Sequence, residues 1–241
     1  MWLCLLVTTL QASEPEFEVR NPGRSLEKAP VALVVTTPGI AAEAYGGWVE
    51  ALENKGFDAR LLVFSSAVTQ LSTAAAGVRG AAKELGDRNW VLAAHGYGGV
   101  LALMAGVTPG RMALVGTPLQ AQVTRLEVPA ANGQQGLPWP EDWIGSLPST
   151  MLSRKMGRAY LSLVEEMPAY AAPACPTWLA ASGSDPIAPP EIVRLASVDW
   201  PDRTWYRAGI LSMAGAELQH AGLLLDPEIA QLMAEFLSEG E

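Results

Sequence analysis

The chain has 241 residues, 49% of them hydrophobic, which is material for one large domain with a substantial core. A formal net charge of -9, with only 16 Lys plus Arg and no run of basic residues, argues against binding to a phosphate backbone, so no nucleic acid is expected as a partner. The cysteines are Cys4 and Cys175, which is too few to fix a redox compartment.

Residues 1–12 carry a short apolar stretch, M-W-L-C-L-L-V, running into small residues, as the hydrophobic centre of a signal peptide would, although no basic segment precedes it. Export to the periplasm or beyond is the expectation. A cytoplasmic chain whose first residues form a buried strand, or whose start is mis-assigned, is the alternative. From residue 31 onward apolar strands alternate with helical stretches, the pattern of a parallel sheet covered on both faces. A strand over 31–36 enters the turn T-P-G-I, and a helix over 43–55 is stopped by Gly56. A strand over 60–64 and an Ala-rich helix over 68–85, ended by Gly86, follow. The next strand, 89–94, runs into A-H-G-Y-G and a helix over 97–106 whose small residues allow close approach to the sheet, and then comes a strand over 111–115.

After G-T-P-L the rhythm breaks. Residues 119–174 read as a cap inserted into a core made of 13–118 and 175–241, with a helix expected over 152–166. Trp139, Trp143 and Met156 give this insertion more apolar surface than a solvated loop needs, either to pack it onto the core or to line a ligand pocket. The core pattern returns as a strand over 176–181, a helix over 190–196, a strand over 203–207 and a closing amphipathic helix over 227–237.

Three segments carry the chemistry. The first is the corner at 94–98, an apolar strand breaking sharply into an apolar helix, as a nucleophile elbow does, with Gly96 at its apex. The second is S-G-S-D-P-I-A-P-P, which sets Asp185 just beyond a strand. The third is L-Q-H-A-G-L-L-L-D-P, with His220 in the loop before the last helix. Singly, Asp185 could merely open an Asp-Pro turn and His220 could merely pack near a helix. Together, in this order and context, they read as the acid and base of a hydrolytic triad.

On these residues the chain resembles the α/β-hydrolase family, from residue 31 to the C-terminus. The resemblance implies an α/β fold with a mostly parallel central sheet flanked by helices. It also implies oxyanion-hole amides from Gly39 or Ile40 and from Tyr97, and a cap over the active site. No cofactor and no metal are expected. The departure is at the apex: no G-x-S-x-G occurs, and Gly96 has no side chain to attack with. Ser65, Ser66, Ser182 and Ser184 are near enough in sequence to such a site to be weighed as relocated nucleophiles, but none lies on a sharp strand-to-helix turn. His95, beside the apex, is expected to be buried against neighbouring strands in a structural role.

Three functions follow. The first is a hydrolase-like protein without turnover, a pseudoenzyme binding a small apolar ligand or a protein partner. The second is an esterase, lipase or thioesterase, acting on an ester-like substrate, whose nucleophile is altered or relocated in this chain. The third uses the His-Asp pair as a general base without a serine.

Overall fold

A computed structural model describes residues 17–23, 28–64, 70–119, 136–138, 151–153, 170–185, 187–209 and 220–239. The strands are β1 (Phe17–Arg20), β2 (Val31–Val35), β3 (Asp58–Phe64), β4 (Trp90–His95), β5 (Met112–Val115), β6 (Gly136–Pro138), β7 (Met151–Ser153), β8 (Thr177–Ser182) and β9 (Arg203–Ala208). The α-helices are α1 (Gly46–Asn54), entered through a 3-10 turn at Ala42–Tyr45, then α2 (Leu71–Glu84), α3 (Tyr97–Ala105), α4 (Pro190–Ala196), α5 (His220–Leu225) and α6 (Pro227–Ser238).

Seven strands form one sheet in the order β1-β3-β2-β4-β5-β8-β9. Every neighbouring pair is parallel except β1 on β3. Successive residues of a strand face opposite sides, so a strand buried at every position must be covered on both. Val31–Val35, Met112–Val115 and Thr177–Ser182 are buried throughout, which is why they read in sequence as unbroken apolar runs. Helices α2 and α3 pack together, as do α1 and α6, and each pair lies against the sheet.

The sheet is asymmetric in charge. At the amino ends of its strands the fully buried Asp58 carboxylate is held by Arg60 at 2.8 Å and Arg88 at 3.1 Å, with Asn21 on its other oxygen. A buried charge is tolerable only when paired in this way, so this cluster fastens β1, β3 and the entry to β4. The candidate site lies at the opposite, carboxyl ends, where strands feed turns into helices.

Three elements differ from the sequence reading. The antiparallel edge strand β1 was not expected, since F-E-V-R is short, charged and mostly exposed. Met151–Ser153 is a strand paired antiparallel with Gly136–Pro138, so the first two residues of the helix expected over 152–166 are strand, and 154–166 lie outside the described residues. Three residues from a Pro- and Gly-rich stretch carry no period long enough to tell the two apart. His220 lies in a helix, α5, described over His220–Leu225, instead of in a loop.

Candidate active site

The turn T-P-G-I forms first, from local chemistry. Pro38 supplies the second position, Gly39 takes φ 89° at the third, and the Ile40 N–H donates to Thr37 O at 3.0 Å, which is a type II turn. Its geometry corrects one expectation: the Ile40 amide is spent closing the turn, so of the two loop amides considered for an oxyanion hole, Gly39 is the one left to consider. Thr37 fixes the turn to the elbow, its hydroxyl donating to His95 O at 2.6 Å and its own N–H donating to Tyr45 Oη at 2.7 Å.

Strand β4 then delivers the elbow. Gly96 stands between β4 and α3 with φ 54° and ψ -125°, a conformation that L side chains rarely adopt. The apex is pinned from below by its own N–H, which donates to Val115 O at 2.9 Å. Tyr97 follows as the first residue of α3, so its amide lies in the first helical turn, facing the end where helices offer N–H groups to anions. Its phenol is fully buried, and burial, with Tyr170 and Asp185 nearby, raises its pKa well above the ordinary value. Tyr170, which lies just before β8, is likewise pushed up to about 12 by burial.

The acid and base meet above this corner. His220 Nδ1 donates to Asp185 Oδ2 at 2.9 Å, with both side chains at most 3% exposed. Asp185 also opens a turn, as the competing reading of its Asp-Pro sequence required. Its Oδ1 accepts from the Ile187 and Ala188 amides at 2.8 and 3.0 Å. The carboxylate thus makes both contacts, one with each oxygen: Oδ1 closes the turn and Oδ2 meets the imidazole.

The space between base and apex is the unusual feature. A Cβ built on Gly96 would lie 2.7 Å from His220 Nε2, 3.2 Å from His220 Cε1 and 3.1 Å from Thr37 Oγ1. The imidazole therefore fills the volume that a nucleophile's side chain would need. Its Nε2 is buried and has no hydrogen-bond partner among the described residues.

His95 supports the base from behind. It is fully buried; its Nε2–H donates to His220 O at 2.9 Å, and its ring packs 4.6 Å from the His220 ring. Tyr45 and Trp48 surround it edge-on. Burial, reinforced by His220, lowers the His95 pKa to about 3. Sequence reasoning missed Thr37 and Gly116. A Cβ on Gly116 would stand 3.1 Å from Asp185 Oδ2, so the glycine of G-T-P-L makes room for the acid-base pair.

Ser182 and Ser184 do not approach the apex role: the Ser182 hydroxyl donates to Gly209 O at 3.0 Å and lies 3.2 Å from Ser184 Oγ. Ser65 and Ser66, the cap residues Trp139, Trp143 and Met156, and residues 1–12 lie outside the described residues. Among the described residues no three His, Cys, Asp or Glu converge on a metal position.

No protein-family model matches the sequence, and no curated protein matches it. Solved structures do match. A monoacylglycerol lipase from Paleococcus ferrophilus superposes with a TM-score of 0.68 at 17% identity, covering 93% of this chain and 98% of that one. One of the carboxylesterases of Nitrososphaera gargenis gives 0.65 at 13% identity, covering 92% and 93%. The chain has the α/β-hydrolase fold. The thioesterase domain of the curacin biosynthetic pathway shares it too, with a TM-score of 0.59 at 16% identity over 87% of this chain and 91% of that one. In this chain a strand, a turn and a helix span 90–105, and Asp185 and His220 follow them in sequence.

Proposed function

We propose that this α/β-hydrolase-fold protein is catalytically silent as a serine hydrolase and uses the site for binding a small apolar ligand or a protein partner. One observation carries the reading: the His220 ring stands 2.7 Å from where a Cβ on Gly96 would be. Covalent hydrolysis needs a hydroxyl at the apex, with the imidazole close enough to take its proton but far enough back to leave the side chain room. Here the hydroxyl is missing and the room is taken. The apolar surface of segment 119–174 suits a cap over that site, where Trp139, Trp143 and Met156 would meet a ligand or a partner.

The second reading has its own observation. His220 Nδ1 keeps its hydrogen bond to Asp185 at 2.9 Å and Nε2 points at the apex, an arrangement that a site abandoned by catalysis has no need to keep. On that reading the chain is a carboxylic-ester hydrolase with an altered nucleophile, and the lipases, esterases and thioesterases that share its fold name the ester-like substrate class.

Hydrolysis of an activated short ester such as p-nitrophenyl acetate separates the two. The native chain is expected to stay at the rate of the buffer, and Gly96→Ser, if folded, is expected to stay there too, because the new side chain and the imidazole compete for one volume. A Gly96→Ser rate about 100-fold or more above buffer that disappears on adding His220→Ala would favour the altered esterase. Turnover by the unmodified chain that is lost in His220→Ala would sink the silent reading outright.

A further inference from the structure

Strand β4 ends on a histidine that the hydrolytic scheme does not use. His95 and His220 lie 125 residues apart in sequence, yet one side chain bonds the other's backbone at 2.9 Å and their rings pack at 4.6 Å with a tilt of 41°. A carbonyl oxygen can only accept, so the proton of His95 sits on Nε2, and the tautomer of the inner ring is fixed by the outer residue's main chain. His220 stands in α5, described over His220–Leu225, and two residues outside that helix hold it. Its ring is oriented on one side by Asp185 and its backbone on the other by His95.

We propose that His95 is a positioning residue: by donating from Nε2 to the His220 carbonyl and packing beneath the His220 ring, it holds the imidazole with Nδ1–H on Asp185 and Nε2 over the apex of the elbow. The geometry makes the base and the elbow one mechanical unit, since His95 is the residue immediately before Gly96. Thr37 belongs to the same unit through its hydroxyl on the His95 carbonyl at 2.6 Å. The aromatic box of Tyr45 and Trp48 prevents the His95 ring from rotating away. This role rests on the reading above only in taking residues 96, 185 and 220 as the site. It holds whether that site turns over or only binds.

The chain contains two histidines, so any His95 variant leaves His220 as the single imidazole in the spectrum. Long-range proton–nitrogen NMR of the full chain then reports the His220 tautomer directly. The native protein is expected to show His220 locked with its proton on Nδ1, with well-separated shifts for its two ring nitrogens. His95→Gln, whose amide nitrogen reaches as far as Nε2, should retain that separation. His95→Phe keeps the packing without the donor, and His95→Asn keeps a donor too short to reach; both should lose the separation as the two tautomers average, while far-UV circular dichroism remains native. Should His95→Phe fail to fold, the comparison of Gln with Asn decides alone. A separation in the folded Asn variant equal to that of the Gln variant overturns the proposal, as does an averaged His220 in the native chain. The signal does not depend on turnover, so an ester-hydrolysing native chain would overturn the silent function and leave this result to stand or fall separately.

Discussion

Acidification is expected to destabilise the fold well before its carboxylates alone would require, and His95 is the reason. Burial holds its imidazole neutral in the folded chain with a pKa of about 3, against an ordinary value of 6.5. Between those values the unfolded chain binds a proton that the folded chain refuses, so the contribution of this group is complete above pH 6.5 and is lost progressively as the pH falls towards 3. A single proton changes stability by about 1.4 kcal/mol per pH unit, so the whole interval amounts to roughly 5 kcal/mol at most, a large part of the stability of an ordinary domain. Carboxylates also titrate at the lower end, and a formal charge of -9 means many of them do so. The control is therefore His95→Gln, which keeps a donor for the His220 carbonyl and cannot be protonated. Urea midpoints measured at pH 7, 6, 5 and 4 should fall faster for the native chain than for the variant. Parallel curves over that range would mean that the buried imidazole is not held neutral by the fold.

Much of this architecture was legible in the sequence, for a physical reason. A strand buried on both faces must be apolar at every position, so V-A-L-V-V and M-A-L-V announce themselves, and the helices between them end at glycines that stop them. Gly96 and Asp185 could be placed in the sequence because each stands just past a recognisable strand, whereas His220 lies in a helix, twelve residues beyond the end of β9 at Ala208. Other features left no such mark. The edge strand β1 is one-sided and charged, so its residues resemble those of a loop, and only pairing with β3 makes it a strand. The competition between the two uses of the Ile40 amide depends on a turn type, and a sequence offers both donors until the turn closes.

The apex itself was legible as an absence, and the structure alters what that absence implies. From the sequence, Gly96 looks like a serine with its side chain removed, so that restoring the hydroxyl should restore the chemistry. In the fold the missing atoms are not an open space, because His220 stands in it, held by Asp185 on one side and His95 on the other. A sequence has no term for that displacement: it arises from a carbonyl on α5 and a ring on β4 meeting across the sheet. A side chain at position 96 would therefore meet the ring at 2.7 Å, and one of the two would have to shift.

A second glycine of the elbow, Gly98, gives a large expected effect for a single methyl group. Gly98 lies in the first turn of α3, where a Cβ would meet Val35 O at 2.3 Å and Thr36 O at 2.9 Å. Those atoms are backbone at the end of β2, a central strand of the sheet, so no rotamer change can relieve the contact. Either α3 must lift from the sheet or β2 must bend, and in a close-packed interior both are costly. Gly98→Ala should therefore lose about 3 kcal/mol or more in urea unfolding at pH 7, despite the helix propensity it gains. Gly80 makes the comparison clean, because it too lies within a helix, α2, yet a Cβ there would meet nothing within 4 Å. Gly80→Ala should gain about 0.5–1 kcal/mol, since alanine loses less backbone entropy than glycine in a helix. The same substitution thus has opposite signs on adjoining helices, and the difference measures how tightly the elbow is drawn against the sheet. A Gly98→Ala protein within 1 kcal/mol of the native one would show that α3 can retreat at little cost. In that case the turn carrying Gly96 would not be rigid enough to hold a nucleophile, whatever residue stood at its apex.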